Sequence, residues 1–174
     1  MNRTHDDGLG GRTATVIEIV AVEPSAASTL RNLFQFYQYD FSEIEGAPVG
    51  ADGRFHHLED VEFEHGYFIR VDRDLAGFAL INRKASRVVE GETVWWMEEF
   101  FVMRHHRRAG VGRRAAYLVI ERHPGTWELT ETPNNGSALA FWRGVLARYA
   151  YEDLEYDDPK WGRRPLQRFS SRRK

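Results

Sequence analysis

Val102-Met103-Arg104-His105-His106-Arg107-Arg108-Ala109-Gly110-Val111-Gly112 is a basic, glycine-containing bend with a different periodicity on each side. Upstream, Thr93–Val102 is dense in Trp, Phe and Val and predicts a long strand. Downstream, Val111, Ala115, Leu118 and Val119 recur at helical spacing until Pro124-Gly125 ends the pattern. A strand therefore turns directly into a helix. The first turn of a helix has backbone N–H groups without intrahelical partners and the positive end of the macrodipole, so it attracts phosphate. Gly110 and Gly112 lack the Cβ atoms that would hold a ligand away from that backbone. Arg107, Arg108 and Arg113 add charge-assisted donors. The segment is a candidate pyrophosphate cradle. It competes with a solvated basic surface, a nucleic-acid patch and a dinucleotide-binding turn. The last of these needs a third glycine where Ala115 stands, and no Gly-Lys-Ser or Gly-Lys-Thr end makes it a nucleotide-hydrolysing loop.

Outward from the bend, the chain alternates elements. A β-branched run over residues 13–22 predicts a strand, and Pro24-Ser25 opens a helix whose apolar face is Leu30, Leu33, Phe34 and Tyr37. Residues 46–53 are a glycine-rich loop, flanked by Tyr37, Tyr39, Phe41, Phe55, His56 and His57, and either cover a ligand or pack beneath themselves. Strands at 67–71 and 75–82 pair antiparallel around Asp72-Arg73-Asp74. After the bend and its helix, residues 127–132 alternate as a strand, and Ala138, Phe141, Val145, Leu146 and Tyr149 mark another amphipathic helix. Late strands follow near 151–156 and 165–170. The fold class is a mixed α/β sheet with helices on its faces.

At 174 residues, 42% of them apolar, the chain builds one core and one domain, over residues 13–170. Residues 1–12 read as a disordered leader and 171–174 as a basic, solvated tail. A formal net charge of -2 gives no long-range attraction for nucleic acid or anionic membrane, so neither is expected as a partner. The absence of cysteine excludes a disulfide framework, a thiolate metal site and cysteine catalysis, and fits a reducing cytoplasm. No apolar run approaches the ~20 residues that span a bilayer. Trp95, Trp96 and Trp161 leave room for a homodimer surface.

Arg107-Arg108-Ala109-Gly110-Val111-Gly112 resembles the signature of the GNAT superfamily: Arg or Gln, two residues, Gly, one residue, then Gly or Ala, at a strand-to-helix junction. Asn135-Gly136-Ser137-Ala138-Leu139-Ala140-Phe141-Trp142 is similar to that family's Asn, Ala and aromatic-pair pattern opening the next helix. Two matches in order are far more specific than either alone. The resemblance implies a GNAT fold, a mostly antiparallel sheet splayed at the CoA site, and transfer of acetyl from acetyl-CoA to an amine acceptor without a metal. It implies that Arg107, Arg108, Ala109, Gly110, Val111, Gly112 and Arg113 bind pyrophosphate and that Phe100, Phe101 and Val102 line the pantetheine. By the same resemblance Asn135, Ala138, Phe141 and Trp142 flank the CoA arm, although Asn135 also suits a helix N-cap and Phe141 a core position.

The reaction needs a base, and Glu98 and Glu99 lie in the middle of the strand before the bend. Adjacent strand residues point to opposite faces, so only one is expected to face the acetyl group. Glu99 is the preferred base and Glu98 the alternative; an ion pair of Glu99 with Arg104 or Lys84 is the competing role. Relatives commonly carry a Tyr acid where this chain has Trp142, whose indole N–H is not a practical acid. A same-fold domain that binds acyl-CoA without turnover is therefore the alternative function. Acceptor choice falls to residues 37–65, where Tyr39, Asp40, Glu43, Glu45, Asp52, Glu59 and Asp60 either attract a cation or form a hydrated acidic loop.

Overall fold

The computed structural model describes residues 15–46, 48–55 and 61–173. The expected leader, His56, His57, Glu59 and Asp60 lie outside the described residues. The order is β1 (Ile17–Ala21), α1 (Ala27–Glu45), β2 (His65–Val71), β3 (Asp74–Ala85), β4 (Thr93–Val102), α2 (Val111–Arg122), β5 (Thr126–Thr130), α3 (Gly136–Leu146), β6 (Tyr149–Asp158) and β7 (Gly162–Arg173). One seven-stranded sheet runs β1-β2-β3-β4-β5-β7-β6. Every neighbouring pair is antiparallel except β4 and β5. The β2–β3 hairpin turns on Asp72 and Arg73, both at positive φ, as a two-residue turn matching strand twist requires.

Helices cover both faces. On one, Leu30, Leu33 and Phe34 of α1 pack on Phe68, Phe78, Leu80 and Phe101. On the other, Ala116, Val119 and Ile120 of α2 and Trp142, Val145 and Leu146 of α3 pack on Ile81, Met97, Trp127, Leu129 and Phe169. Covering both faces explains why β3 is buried continuously from Ala76 to Asn82 instead of alternating.

Two expectations are corrected here. Residues 171–173 are not a free tail but the last part of β7, where Ser171 N–H donates to the Gly125 carbonyl at 2.9 Å while Arg172 is exposed. Trp95 and Trp96 do not supply a dimer surface. Trp96 is buried, and Trp95 stacks on Trp127 and meets the edge of His123, because β4 is an interior strand; Trp161 alone of the three is exposed.

Candidate active site

The site begins with a defect in β4. Leu80 of β3 pairs with Glu99 while the next residue, Ile81, pairs with Met97, so Glu98 is an extra residue in a β-bulge. A bulge breaks the alternation of side chains. Lys84, two positions beyond Asn82 and four beyond Leu80, shares the α1 face with them, and its Nζ lies 2.5 Å from Glu98 Oε1. Glu99 is hydrogen-bonded to Tyr37 of α1. Both carboxylates therefore face α1, and the expectation of opposite faces is overturned by the one inserted residue. The expected ion pairs of Glu99 are also redistributed: Lys84 pairs with Glu98, and Arg104 with Asp40.

The environment gives the two acids different characters. Burial raises the Glu98 pKa above its ordinary value, and the Lys84 ammonium offsets part of the rise. Glu99 is pushed up to about 7, first by burial; the Tyr37 hydrogen bond opposes the rise, and the charges of Glu98 and Glu45 reinforce it. Glu99 nevertheless keeps a partial opening to solvent. Tyr37 is raised well above its ordinary value by burial and by the Glu99 charge, so its hydroxyl stays protonated and donates to the carboxylate. Such a carboxyl, near half-ionised at neutral pH, is suited to take and release a proton.

Beside it the sheet splits. β4 and β5 pair only at Trp95 with Trp127 and at Trp96 with Glu128, so residues 97–102 of β4 have no strand partner on that side. Phe100 stacks on Phe141 at 5.8 Å and meets the edge of Trp142 at 5.2 Å. Trp142 is 6% exposed within the core, and Phe101 and Val102 are buried as well. A cleft of about 460 Å³ separates the end of α1 from the start of α3, lined by Glu43, Ile44, Asn134, Asn135, Gly136 and Ser137. Glu45, whose charge reaches Glu99, belongs to the same last turn of α1 as Glu43 and Ile44.

The bend divides its residues between two tasks. Gly110 is the N-cap of α2 at φ +80, no side chain caps it, and a Cβ there meets nothing within 4 Å. Arg108, Ala109, Gly110 and Arg113 are exposed around this turn, whereas Val111 is buried beneath it. Gly112 serves packing: a Cβ would stand 3.2 Å from Phe141 Cε2. Arg107 is exposed too, but its side chain is engaged by the protein. Its Nε donates to the Val102 carbonyl at 2.6 Å, its guanidinium pairs with Asp40, and its backbone N–H donates to the Arg104 carbonyl. Arg104 Nε donates to the same Asp40 at 2.8 Å. One acid of the 37–65 stretch is thus spent on fastening α1 to the bend. Asn135 Oδ1 accepts from Ala138 N–H at 3.0 Å, the N-cap of α3, and Ala138 is partly buried behind it.

Three groups escaped the sequence reading. Tyr37 stood out as a helix-face aromatic and as a flank of the glycine-rich loop, and nothing local ties it to Glu99. Glu131, 5% exposed and raised to about 7 by burial with Gln167 opposing, shares the parity of Trp127 and Leu129, which is the signal that could have found it. Arg164 of β7 acts on Tyr37 from two strands beyond β4 and carried no sequence signal. Among the described residues no group of three or more His, Asp or Glu could hold a metal ion, and no helix is long and apolar enough to cross a membrane.

The backbone is similar to those of several solved acetyltransferases. A GNAT-family acetyltransferase from Staphylococcus aureus Mu50 superposes with a TM-score of 0.57 at 13% identity, covering 88% of this chain and 99% of that one. A protein from Corynebacterium glutamicum described as histone acetyltransferase HPA2 and related acetyltransferase gives 0.60 at 14%, covering 88% and 95%. Arabidopsis thaliana Naa50, in complex with the bisubstrate analogue CoA-Ac-MVNAL, gives 0.54 at 10%, covering 87% and 97%. At these identities the likeness is one of fold. No curated protein matches the sequence. The model of the Acetyltransferase (GNAT) family, however, matches residues 28–145, about two thirds of the chain and the whole span from α1 through the bulged strand and the bend to α3. By that match the chain belongs to the GNAT acetyltransferase family.

Proposed function

We propose that the protein transfers an acetyl group from acetyl-CoA to a primary amine by direct attack within a ternary complex, with Glu99 as the base. The observation that carries this reading is a carboxyl with a pKa of about 7 placed next to the unpartnered edge of β4. The residues present fit acetyl-CoA. The edge at 97–102 offers backbone donors and acceptors to the amides of a pantetheine arm laid alongside as an extra strand. The uncapped first turn of α2, open outside Gly110 and flanked by Arg108 and Arg113, suits a pyrophosphate. Arg107 contributes through α1 docking instead, and Asn135 retains only its amide N–H for the arm.

Acetyl-CoA supplies a thioester whose carbonyl carbon accepts the amine. Glu99 takes one proton of the acceptor ammonium, the freed nitrogen forms the C–N bond as the C–S bond breaks, and the second proton, shed as the amide forms, passes to water. A backbone N–H near Phe101 or Val102 holds the carbonyl oxygen. Because Trp142 supplies no acid, sulfur leaves as the thiolate; a thiol is acidic enough for that without a dedicated donor. Tyr37 keeps Glu99 low enough to be ionised in part at neutral pH.

The burial of Trp142 at the usual acid position favours a second reading, an acyl-CoA-binding domain without turnover. Acetyl-CoA at ~100 times its Kd should stabilise the protein by about 2.7 kcal/mol under either reading. Release of free CoA on adding an amine panel belongs to the enzyme alone. A melting curve unmoved by millimolar acetyl-CoA overturns both.

A further inference from the structure

Among the described residues, Arg164 is a cation with no carboxylate paired to it. The other arginines of the β6–β7 hairpin with described side chains near acids are spent: Arg163 pairs with Glu155, and Arg168 lies 2.6 Å from Glu128 and 2.5 Å from Glu92. Arg164 makes no ion pair among the described residues, and its Nε is buried without a hydrogen-bond partner. Asp158, the acid within its electrostatic reach, is turned into its own loop, where it accepts from Lys160 N–H, Trp161 N–H and the Tyr156 hydroxyl. A half-buried guanidinium in that condition forgoes strong hydrogen bonds, which is costly unless something else supplies them.

Its position gives the missing partner a place. In the register of the sheet, Leu166 is opposite Thr130, the last residue of β5, so Arg164 stands beyond the end of β5. It shares a face with Leu166, which packs with Val94 and Trp96, and with Arg168, on the α1 side of the sheet where Glu99 lies. Its charge acts on Tyr37, whose hydroxyl holds Glu99. Around the reacting position the described residues thus give an acidic side, Glu99 with Glu45, and an open cation, Arg164. A polycation meets the Arg164 charge as repulsion, whereas a zwitterion satisfies both sides.

Building on the acetyltransferase reading, we infer that the acceptor is an amine that also carries a carboxylate, with Arg164 binding the carboxylate while Glu99 receives the ammonium proton. The C–N and C–S bond changes are those of the proposed reaction; Arg164 binds and orients and exchanges no proton. Arg164 is a specificity-determining residue.

The test is a panel of the standard α-amino acids and of glycine, β-alanine, 4-aminobutyrate and 6-aminohexanoate, each beside its amide, with CoA release followed by a thiol reagent. Acids should exceed their amides in kcat/KM by about tenfold or more. In Arg164→Gln that ratio should collapse toward one, and Arg164→Lys should restore part of it. Both variants should keep the melting shift produced by acetyl-CoA, which establishes that they fold. Amides accepted as well as acids, a ratio unaltered by Arg164→Gln, or acetyl-CoA binding with no turnover on any acid each overturn the inference while leaving CoA binding intact. An absent melting shift together with absent CoA release removes the acetyltransferase reading beneath it.

Discussion

Replacing Glu99 with Gln should make the enzyme slower and the fold more stable at neutral pH. The amide keeps the side-chain oxygen that accepts from Tyr37 and removes only the titrating proton. On the kinetic side, a general base contributes about 10²- to 10⁴-fold, and kcat/KM should lose that factor together with the acidic limb centred at about pH 7. On the stability side, the sign follows from linkage. The folded carboxyl titrates at about 7 and the unfolded one at the ordinary 4.5, so between those values the folded state keeps a proton that the unfolded state gives up. Wild-type stability therefore falls as pH rises through that window, by roughly 3 kcal/mol in all, and the loss is complete above it. The Glu99→Gln variant does not titrate at this position and escapes that loss. The variant minus wild-type difference should grow by roughly 3 kcal/mol from about pH 4 to about pH 8, equivalent to about 6–12 °C in Tm for a chain of this size. Glu98 and Glu131 are raised too, but they act in both proteins and cancel in the difference. Paired melting curves across that range, with pH–rate profiles on the same samples, make the measurement. A Tm difference that stays flat with pH refutes the perturbed carboxyl, and an acidic limb surviving in Glu99→Gln refutes its role as base.

Tyr37→Phe removes the hydrogen bond that favours ionised Glu99, so the acidic limb should move to higher pH; a limb left at about 7 separates Tyr37 from the base. Asn135→Ala should lose the α3 cap and about 1 kcal/mol, whereas Asn135→Asp keeps the acceptor oxygen and should hold Tm while raising the KM for acetyl-CoA; an Asp variant with wild-type KM removes Asn135 from the CoA site. Gly110→Val meets no atom of the protein but strains a left-handed backbone by about 1–2 kcal/mol, and it should raise the acetyl-CoA KM severalfold; an unchanged KM clears the glycine of ligand contact.

Features written into local backbone chemistry were legible in the sequence. Thr93–Val102 reads as a strand from its aromatic and β-branched content, the bend from its glycines and arginines, and α3 from its capping Asn, because each depends on a few consecutive residues. What could not be read depends on partners far along the chain. The ion pair of Arg107 is one such feature, because Asp40, 67 positions away, competes with solvent and ligand for its guanidinium. Trp95 and Trp96 were misplaced because the sequence does not reveal that β5 and β7 follow β4 in the sheet.

The bulge is the sharpest case, and it has a functional consequence. An inserted residue leaves no compositional trace, since Glu98 and Glu99 suit a regular strand with alternating faces as well as they suit a bulge. Whether they share a face is settled by the register against β3 alone. With alternating faces, Glu98 would be carried to the face covered by α2 and α3, away from Lys84. With the bulge, Lys84 pairs with Glu98 and leaves Glu99 the less compensated of two neighbouring acids, and the Glu98 charge adds to burial in raising the Glu99 pKa. The same irregularity stands where β4 departs from β5, so one extra residue both tunes the proposed base and lies beside the edge where the thioester is proposed to sit.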